Sequence, residues 1–154
     1  MNIDRFKQTL ARHEGKRPRP YDDANGKTIG PSYRVIQGKL TIGIGHNLED
    51  NPLPDHIIDL LLDSDVATVL SQLDASVPWW RNLDEVRQEA LANMCFNMGI
   101  ASLLGFRNTL RHLKEGRYPD AASGVRNSRY YRQTGRRGEE VARMIETGIY
   151  DLPD

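Results

Sequence analysis

The segment that decides the fold runs from Glu14 to His46 and reads EGKRPRPYDDANGKTIGPSYRVIQGKLTIGIGH. Glycines and prolines recur along it. Short β-branched or aromatic runs alternate with turn signals such as Asn25-Gly26 and Gly30-Pro31. This alternation is typical of short strands joined by tight turns. We therefore predict a small antiparallel sheet here, with strand pieces at about 27–29, 33–36 and 40–42.

Helical patterns flank this segment on both sides. Apolar residues recur at helical spacing between a candidate N-cap at Asn2 and a stop signal at Gly15, so the first helix should end near Glu14. After Pro54, a long apolar-rich stretch predicts a helix over about 55–75. Further helices are predicted at 83–98 and 108–115, from about 119, around Tyr130, and at 135–147.

The order helix, small sheet, long helix, helical bundle indicates an α+β fold formed by one domain, residues 1–154. We expect a β lobe over 15–54, a connecting helix over 55–76, and a helical lobe built from 1–14 together with 77–154. The first helix is assigned to the helical lobe because a single amphipathic helix cannot bury its apolar face alone. A cleft between sheet and bundle, with Glu14 at its edge, would suit an extended ligand.

Composition narrows the class of function. The 21 basic and 21 acidic residues cancel, so no net charge attracts the chain to nucleic acid or to an anionic membrane. No apolar stretch is long enough to span a membrane, and no secretory signal follows Met1–Arg5, so we expect accumulation in the cytoplasm. The single cysteine, Cys95, excludes an internal disulfide and is predicted to be a buried apolar residue. We predict no metal and no cofactor.

Charge is uneven between Val125 and Gly138, where five arginines occur without an acidic residue. One interpretation is a solvated helical face. The other is a surface that meets an anionic polymer, such as the carboxylates of a bacterial cell wall. The sequence does not choose between them. The five residues are Arg126, Arg129, Arg132, Arg136 and Arg137.

Acidic and hydroxyl side chains in the opening segment suggest a chemistry. Glu14 falls in the last turn of a helix, where the negative end of the helix dipole favours a protonated carboxyl group. Asp22 and Asp23 follow on a predicted loop, where either could activate water or simply form a turn. Thr41 opens a Gly-rich strand that ends at His46. One acid and one base are what hydrolysis of a glycosidic bond requires.

The order and spacing of Glu14-Gly15, Tyr21-Asp22-Asp23 and Thr41–His46 resemble those of the phage-type lysozymes, or endolysins. The resemblance covers nearly the whole chain in one order. It implies a lysozyme-like fold and hydrolysis of the β-1,4 bond between N-acetylmuramic acid and N-acetylglucosamine in peptidoglycan. Further matching blocks are Asn93-Met94, Phe96, Met98-Gly99, Gly105-Phe106, Asn108-Thr109-Leu110, Ser128–Tyr131 and Gln133-Thr134.

The same resemblance implies roles for individual residues. Glu14 would be the general acid, and Asp23 with Thr41 would position and activate water in an inverting reaction. Arg137 would lie near Glu14 and orient it. His46 is expected to be a structural ion-pair partner, with Asp65 as its candidate acid. The substrate-binding candidates are Phe96, which could equally be a core residue, Thr109 and Asn47.

Departures from the family pattern are confined to a few places. Asn47 and Gly124 differ from the residues usual at two sugar-contacting positions, so subsite contacts should differ. The stretch between Gly26 and Thr41 is longer than the family pattern, and extra strands or a longer hairpin there would reshape one wall of the cleft. The resemblance also implies a monomer that reaches the periplasmic wall with the help of a separate holin.

Three rival functions are open to this sequence. A lytic transglycosylase would cleave the same bond with a single acid/base. A non-catalytic wall-binding or virion structural module could keep the fold without activity. A nucleic-acid binder could use the arginine-rich segment, although net neutrality and the lack of a binding motif argue against it. Possession of both Asp23 and Thr41 favours hydrolysis over the first two.

Overall fold

The computed structural model describes residues 2–33 and 35–150, with only the backbone described at Phe6 and Thr9. It combines helices with a small antiparallel sheet, which confirms the α+β class. The chain divides into unit 1, Met1–Asp59, and unit 2, Leu60–Asp154. The strands are β1 (Arg17–Asp22), β2 (Leu40–Gly43) and β3 (His46–Asn47). The α-helices are α1 (Ile3–Glu14), α2 (Asp55–Ser76), α3 (Glu85–Met98), α4 (Ile100–Leu104), α5 (Arg107–Lys114), α6 (Tyr118–Arg126), α7 (Arg129–Thr134) and α8 (Arg136–Thr147).

Helix α1 begins and ends where its capping residues predict. The Asn2 side chain accepts a hydrogen bond from the Arg5 amide at 3.0 Å, which satisfies one of the free amides of the first turn. Gly15 then leaves the helix with φ of 73° while its amide still bonds to Ala11. The end of α1 fixes Glu14 as its last residue. The predicted assignment of this helix to the helical lobe remains a prediction, since α1 belongs to unit 1.

The sheet has the order β1-β2-β3, with both pairs antiparallel. The prediction missed β1, whose sequence RPRPYD has two prolines that cannot donate to a ladder. An edge strand tolerates them, and the register with β2 shifts between Arg17 and Tyr21, where they lie. The strand predicted at 40–42 is confirmed by β2.

The other two predicted strand pieces are wrong. Thr28 forms only an isolated bridge to Tyr21, and no strand includes the described residues between 33 and 36. Instead, the described residues between Thr28 and β2 fold back over the end of β1. The predicted Gly-rich strand from Thr41 to His46 is also interrupted, because Ile44 and Gly45 form a turn between β2 and β3.

Unit 2 contains an apolar core that helices α3, α6 and α8 share with the second half of α2. Its fully buried members include Leu73, Leu91, Met94 and Ile145. Cys95 is also buried there, which confirms the prediction, and burial raises the pKa of its thiol. A 3-10 helix, Pro78–Asn82, and the short helix α4 complete the unit and were not predicted. Within the described part of the chain, no helix has the length and apolarity needed to cross a bilayer.

Candidate active site

The Glu14 carboxyl group lies against the turn that joins β2 to β3. Glu14 is exposed at the end of α1. A Cβ atom placed on Gly45 would lie 3.1 Å from both Cδ and Oε2 of Glu14, which is closer than real side chains normally approach. Gly45 also has φ of 66°, so its backbone favours glycine as well. Within unit 1, the end of α1 and the turn between β2 and β3 together define the position of the Glu14 carboxyl group.

The adjacent acids Asp22 and Asp23 have different surroundings. Asp22 is fully buried. One of its oxygens accepts the amides of Ala24 (3.0 Å) and Gly38 (2.9 Å). The other accepts the Tyr33 hydroxyl (2.6 Å) and the Gln37 amide (2.7 Å). The Tyr33 hydrogen bond, with those from the amides, lowers the pKa of Asp22 to about 2 in spite of burial.

Asp23 is exposed and keeps one oxygen open. Its Oδ1 accepts the Lys39 amide at 2.6 Å, and its own amide donates to the Lys39 carbonyl at 3.2 Å. Among the described residues, none donates a hydrogen bond to Oδ2 of Asp23. The structure thus distinguishes two acids that the sequence left as alternatives, and the open one is the acid that the family pattern selects.

Thr41 occupies the central strand, where it pairs with Tyr21 on one side and Asn47 on the other. Its side chain is almost completely buried, and its hydroxyl donates to the Lys39 carbonyl at 3.1 Å. Asp23 and Thr41 therefore both bond to the main chain of Lys39. Because the hydroxyl proton is used in that bond, Oγ1 of Thr41 can serve as an acceptor towards a water molecule.

Asn47 uses its side chain inside its own turn. Oδ1 accepts the amides of Glu49 (3.0 Å) and Asp50 (3.2 Å), and Nδ2 donates to the Asp50 carboxylate (2.8 Å). These bonds define a structural role for Asn47. Its predicted contact with substrate remains a prediction.

His46 also has a main-chain partner in unit 1. Its Nε2 lies 2.9 Å from the carbonyl oxygen of Asn51, so that nitrogen carries the proton and donates. The predicted supporting role of His46 remains a prediction. The predicted pairing with Asp65, a residue of unit 2, remains a prediction.

Phe96 and Arg137 line one pocket of unit 2, with a volume of about 300 Å³. Phe96 is 43% exposed, so it is a surface side chain rather than a core residue. Arg137 donates from Nε to the Asn93 side chain at 2.8 Å. The predicted position of Arg137 beside Glu14 stays a prediction.

Thr109 and Gly124 meet in a second, larger pocket of unit 2, of about 640 Å³. The Thr109 hydroxyl occupies the space that a Cβ atom on Gly124 would need. Two positions that the resemblance links to substrate contact are thus neighbours. Phe106, Asn108 and Ser128 line the same pocket.

Partners inside unit 2 bind four of the five arginines between Val125 and Gly138. These contacts argue against the interpretation that all five arginines form a free cationic surface. They leave Arg129, which lines a pocket of about 440 Å³ with Tyr130 and Gln133. The internal pairs are Arg126 with Glu139 and Glu146, Arg132 with the Asn127 carbonyl oxygen, Arg136 with Glu140, and Arg137 with Asn93.

Sequence reasoning missed the residues that surround the two aspartates. They lie between Gly26 and Thr41, where extra strands or a longer hairpin were predicted, and are Tyr33, Gln37, Gly38 and Lys39. The signal available was the Gln37-Gly38 turn just before β2, since a turn exposes successive amides that a nearby carboxylate can bind. The partners of those amides were not evident from spacing alone.

Comparisons with known proteins agree with this architecture. The phage lysozyme family matches residues 11–144. The chain is 28% identical to a probable T4-type lysozyme 1 of Dictyostelium discoideum, over 95% of this chain and 96% of that protein. It is also 28% identical to two phage proteins, over much smaller shares of their lengths. They are the pre-baseplate central spike protein Gp5 of Enterobacteria phage T4 (92% of this chain, 27% of that protein) and the peptidoglycan hydrolase gp36 of Pseudomonas phage phiKMV (94% and 15%). The chain belongs to the phage lysozyme family.

Proposed function

We propose that this protein is a muramidase that hydrolyses the β-1,4 bond between N-acetylmuramic acid and N-acetylglucosamine in peptidoglycan. Family membership supports a role on the bacterial cell wall. The observation that carries the finer proposal is the contrast between two adjacent acids. Asp22 is buried and fully hydrogen-bonded, whereas Asp23 is exposed with one open oxygen, in the same unit as the exposed carboxyl group of Glu14.

Glu14 and Asp23 divide the chemistry between them. Glu14 donates its proton to the glycosidic oxygen as the bond from C1 to that oxygen breaks, and positive charge develops on the sugar ring. The open oxygen of Asp23 stabilises that charge and, with Oγ1 of Thr41, accepts hydrogen bonds from water. The water attacks C1 from the opposite face and gives its proton to Asp23. The sequence of steps uses no metal and no cofactor.

Inversion at the anomeric carbon follows from this assignment. Carboxyl groups about 6.5–9.5 Å apart leave room for the attacking water, whereas groups about 5 Å apart attack directly and retain configuration. Asp23 already donates its amide to Lys39 and accepts that residue's amide, so it is held in place as a base. We therefore propose an inverting enzyme.

The remaining roles extend from the same proposal. Phe96 and Thr109 contact the glycan or its peptides from pockets of unit 2. The protein acts as a monomer, accumulates in the cytoplasm of a phage-infected cell and reaches the periplasmic wall through a separate holin. Degradation of the wall then lyses the host.

Digestion of purified peptidoglycan tests the reaction class. The products are reduced with borohydride and separated by mass. Hydrolysis at the proposed bond gives fragments that end in reduced N-acetylmuramic acid. A 1,6-anhydro end would instead identify a lytic transglycosylase, and a reduced N-acetylglucosamine end would identify cleavage of the other glycosidic bond. Either of those results, or no soluble fragment, contradicts the proposal.

A further inference from the structure

We propose that Asp22 is a positioning residue, whose buried carboxylate fixes the main chain of residues 37–39 so that this chain holds Asp23 in place. The inference rests on the proposed function, because it gives Asp22 its role through Asp23. It also assigns a purpose to the long segment between Gly26 and β2, in which only Thr28 makes a β-bridge among the described residues.

Two successive carboxylates bind three successive amides. Asp22 accepts the amides of Gln37 (2.7 Å) and Gly38 (2.9 Å), and Asp23 accepts the amide of Lys39 (2.6 Å). The direction of the Lys39 amide depends on the two peptide groups before it. Any displacement of the chain at 37–38 is therefore transmitted to the hydrogen bond that orients Asp23.

Gly38 provides the space that this arrangement needs. A Cβ atom there would collide with the Asp23 carboxylate and with Ala24. Position 38 needs glycine for space rather than for backbone conformation, because Gly38 is not among the glycines with positive φ. Close approach at Gly38 thus lets one short stretch of chain serve both acids.

Tyr33 links the long segment to Asp22 from a further direction. Its hydroxyl donates to Asp22 at 2.6 Å and accepts from the Asn25 side chain at 2.9 Å. This bond is the largest cause of the lowered pKa of Asp22. Asp22 is therefore ionised at neutral pH, as a constant acceptor requires. An amide in its place would turn an NH₂ group towards two donors.

Four variants test the inference, with kcat and KM measured on soluble peptidoglycan fragments. Asp22→Asn and Gly38→Ala should lower kcat by about 10- to 100-fold, the range expected when a catalytic group is slightly displaced, while KM changes less than about twofold. Tyr33→Phe removes one hydrogen bond to Asp22, and its kcat should lie between that of these variants and that of wild type. Gly30→Ala is the matched control, because a Cβ there meets nothing within 4 Å and the position also lacks positive φ.

The Lys39 amide proton gives a second measurement that does not depend on activity. A short hydrogen bond to a carboxylate shifts an amide proton downfield. In Asp22→Asn this resonance should move upfield although Asp23 is intact, whereas in Gly30→Ala it should stay in place. A structural effect that spreads evenly through unit 1 would move other amides equally, and that result would contradict a specific positioning role.

The outcomes separate the two proposals. A folded Asp22→Asn variant with wild-type kcat and an unmoved Lys39 amide overturns the positioning role and leaves the proposed function intact. Full activity in Asp23→Asn overturns the role of Asp23, and with it the inference that depends on it. If Asp22→Asn does not fold, Tyr33→Phe takes its place, because Tyr33 contacts Asp22 and makes no hydrogen bond to Asp23. A wild-type kcat and an unmoved Lys39 amide in Tyr33→Phe overturn the inference, and a lowered kcat with an upfield shift of that amide supports it.

Discussion

Two aspartates that are adjacent in sequence differ because of what surrounds them. Asp22 is surrounded by hydrogen-bond donors from residues 24–38 and is buried, so its charge is committed to structure. Asp23 has one amide partner and an open oxygen. Environment rather than residue type thus commits the Asp22 carboxylate to structure and leaves that of Asp23 open to solvent, where we propose that it takes part in the reaction.

The lowered pKa of Asp22 predicts acid sensitivity. Its pKa is about 2 in the folded protein against an ordinary 3.8. A carboxyl group with a lowered folded pKa contributes stability that is present above its unfolded pKa and is lost as pH falls through the folded pKa. The free energy of unfolding of wild type should therefore fall relative to that of Asp22→Asn between about pH 4 and pH 2. Urea unfolding at several pH values measures this difference, and a difference independent of pH would contradict the assignment.

At this scale the sequence predicted Glu14 and Thr41 as candidates from local patterns, a helix end and a strand start. It could not choose between Asp22 and Asp23, because the donors to Asp22 lie up to 16 residues away. The choice of Asp23 came from family spacing and remains a prediction. The structure shows that Asp23, unlike Asp22, has an open carboxylate oxygen.

At the scale of elements, the turn between β2 and β3 links the sheet to the end of α1. Gly43 and Gly45 have nearly equal positive φ values, 69° and 66°. A Cβ on Gly43 meets nothing within 4 Å, whereas a Cβ on Gly45 meets the Glu14 carboxyl group at 3.1 Å. Both glycines thus need a positive φ, but only a side chain at position 45 would contact Glu14.

This pair predicts a separation of stability from activity. Gly43→Ala and Gly45→Ala should each cost about 1 kcal/mol of stability, since both place alanine in a left-handed conformation. Only Gly45→Ala should also lower kcat, by about 10-fold or more, because it displaces Glu14. Thermal unfolding and peptidoglycan turnover of both variants test this. Equal activity in the two variants would contradict the contact with Glu14.

Helices were easier to predict than strands because their signals are local. The N-cap at Asn2, the stop at Gly15 and the stop at Gly148 lie within one turn of the helices they bound. Strand β1 was missed because its prolines argue against a strand, and only its edge position makes them acceptable. The position of a strand in a sheet depends on distant partners, which periodicity does not reveal.

At the scale of the whole molecule, apolar burial is concentrated in unit 2. In the described part of unit 1 the buried side chains are Tyr21, Asp22 and Thr41, two of which are polar. Unit 2 buries a continuous apolar cluster that includes Leu91 and Ile145. We infer that unit 2 depends on its core, whereas hydrogen bonds contribute a larger share in the described part of unit 1.

A core substitution should therefore lower stability without touching the chemistry. Leu91 is fully buried in α3. Leu91→Ala removes three buried carbon groups and should cost about 2 kcal/mol or more. Below the unfolding temperature, its kcat should stay within about twofold of wild type, because no group that reacts with substrate is changed. Circular dichroism melts combined with turnover measure both quantities. An unchanged melting temperature would show that Leu91 does not contribute to the core as described.

The proposed function depends above all on Glu14, so the most direct measurement is the release of reducing ends from peptidoglycan by Glu14→Gln. Asp4→Asn is the matched control, since it removes one acidic charge from the opposite end of the same helix. With folding verified by circular dichroism, Glu14→Gln should lose at least about 10²-fold in rate, the usual contribution of a general acid, while Asp4→Asn keeps the wild-type rate. A folded Glu14→Gln protein that releases reducing ends as fast as wild type would contradict the account.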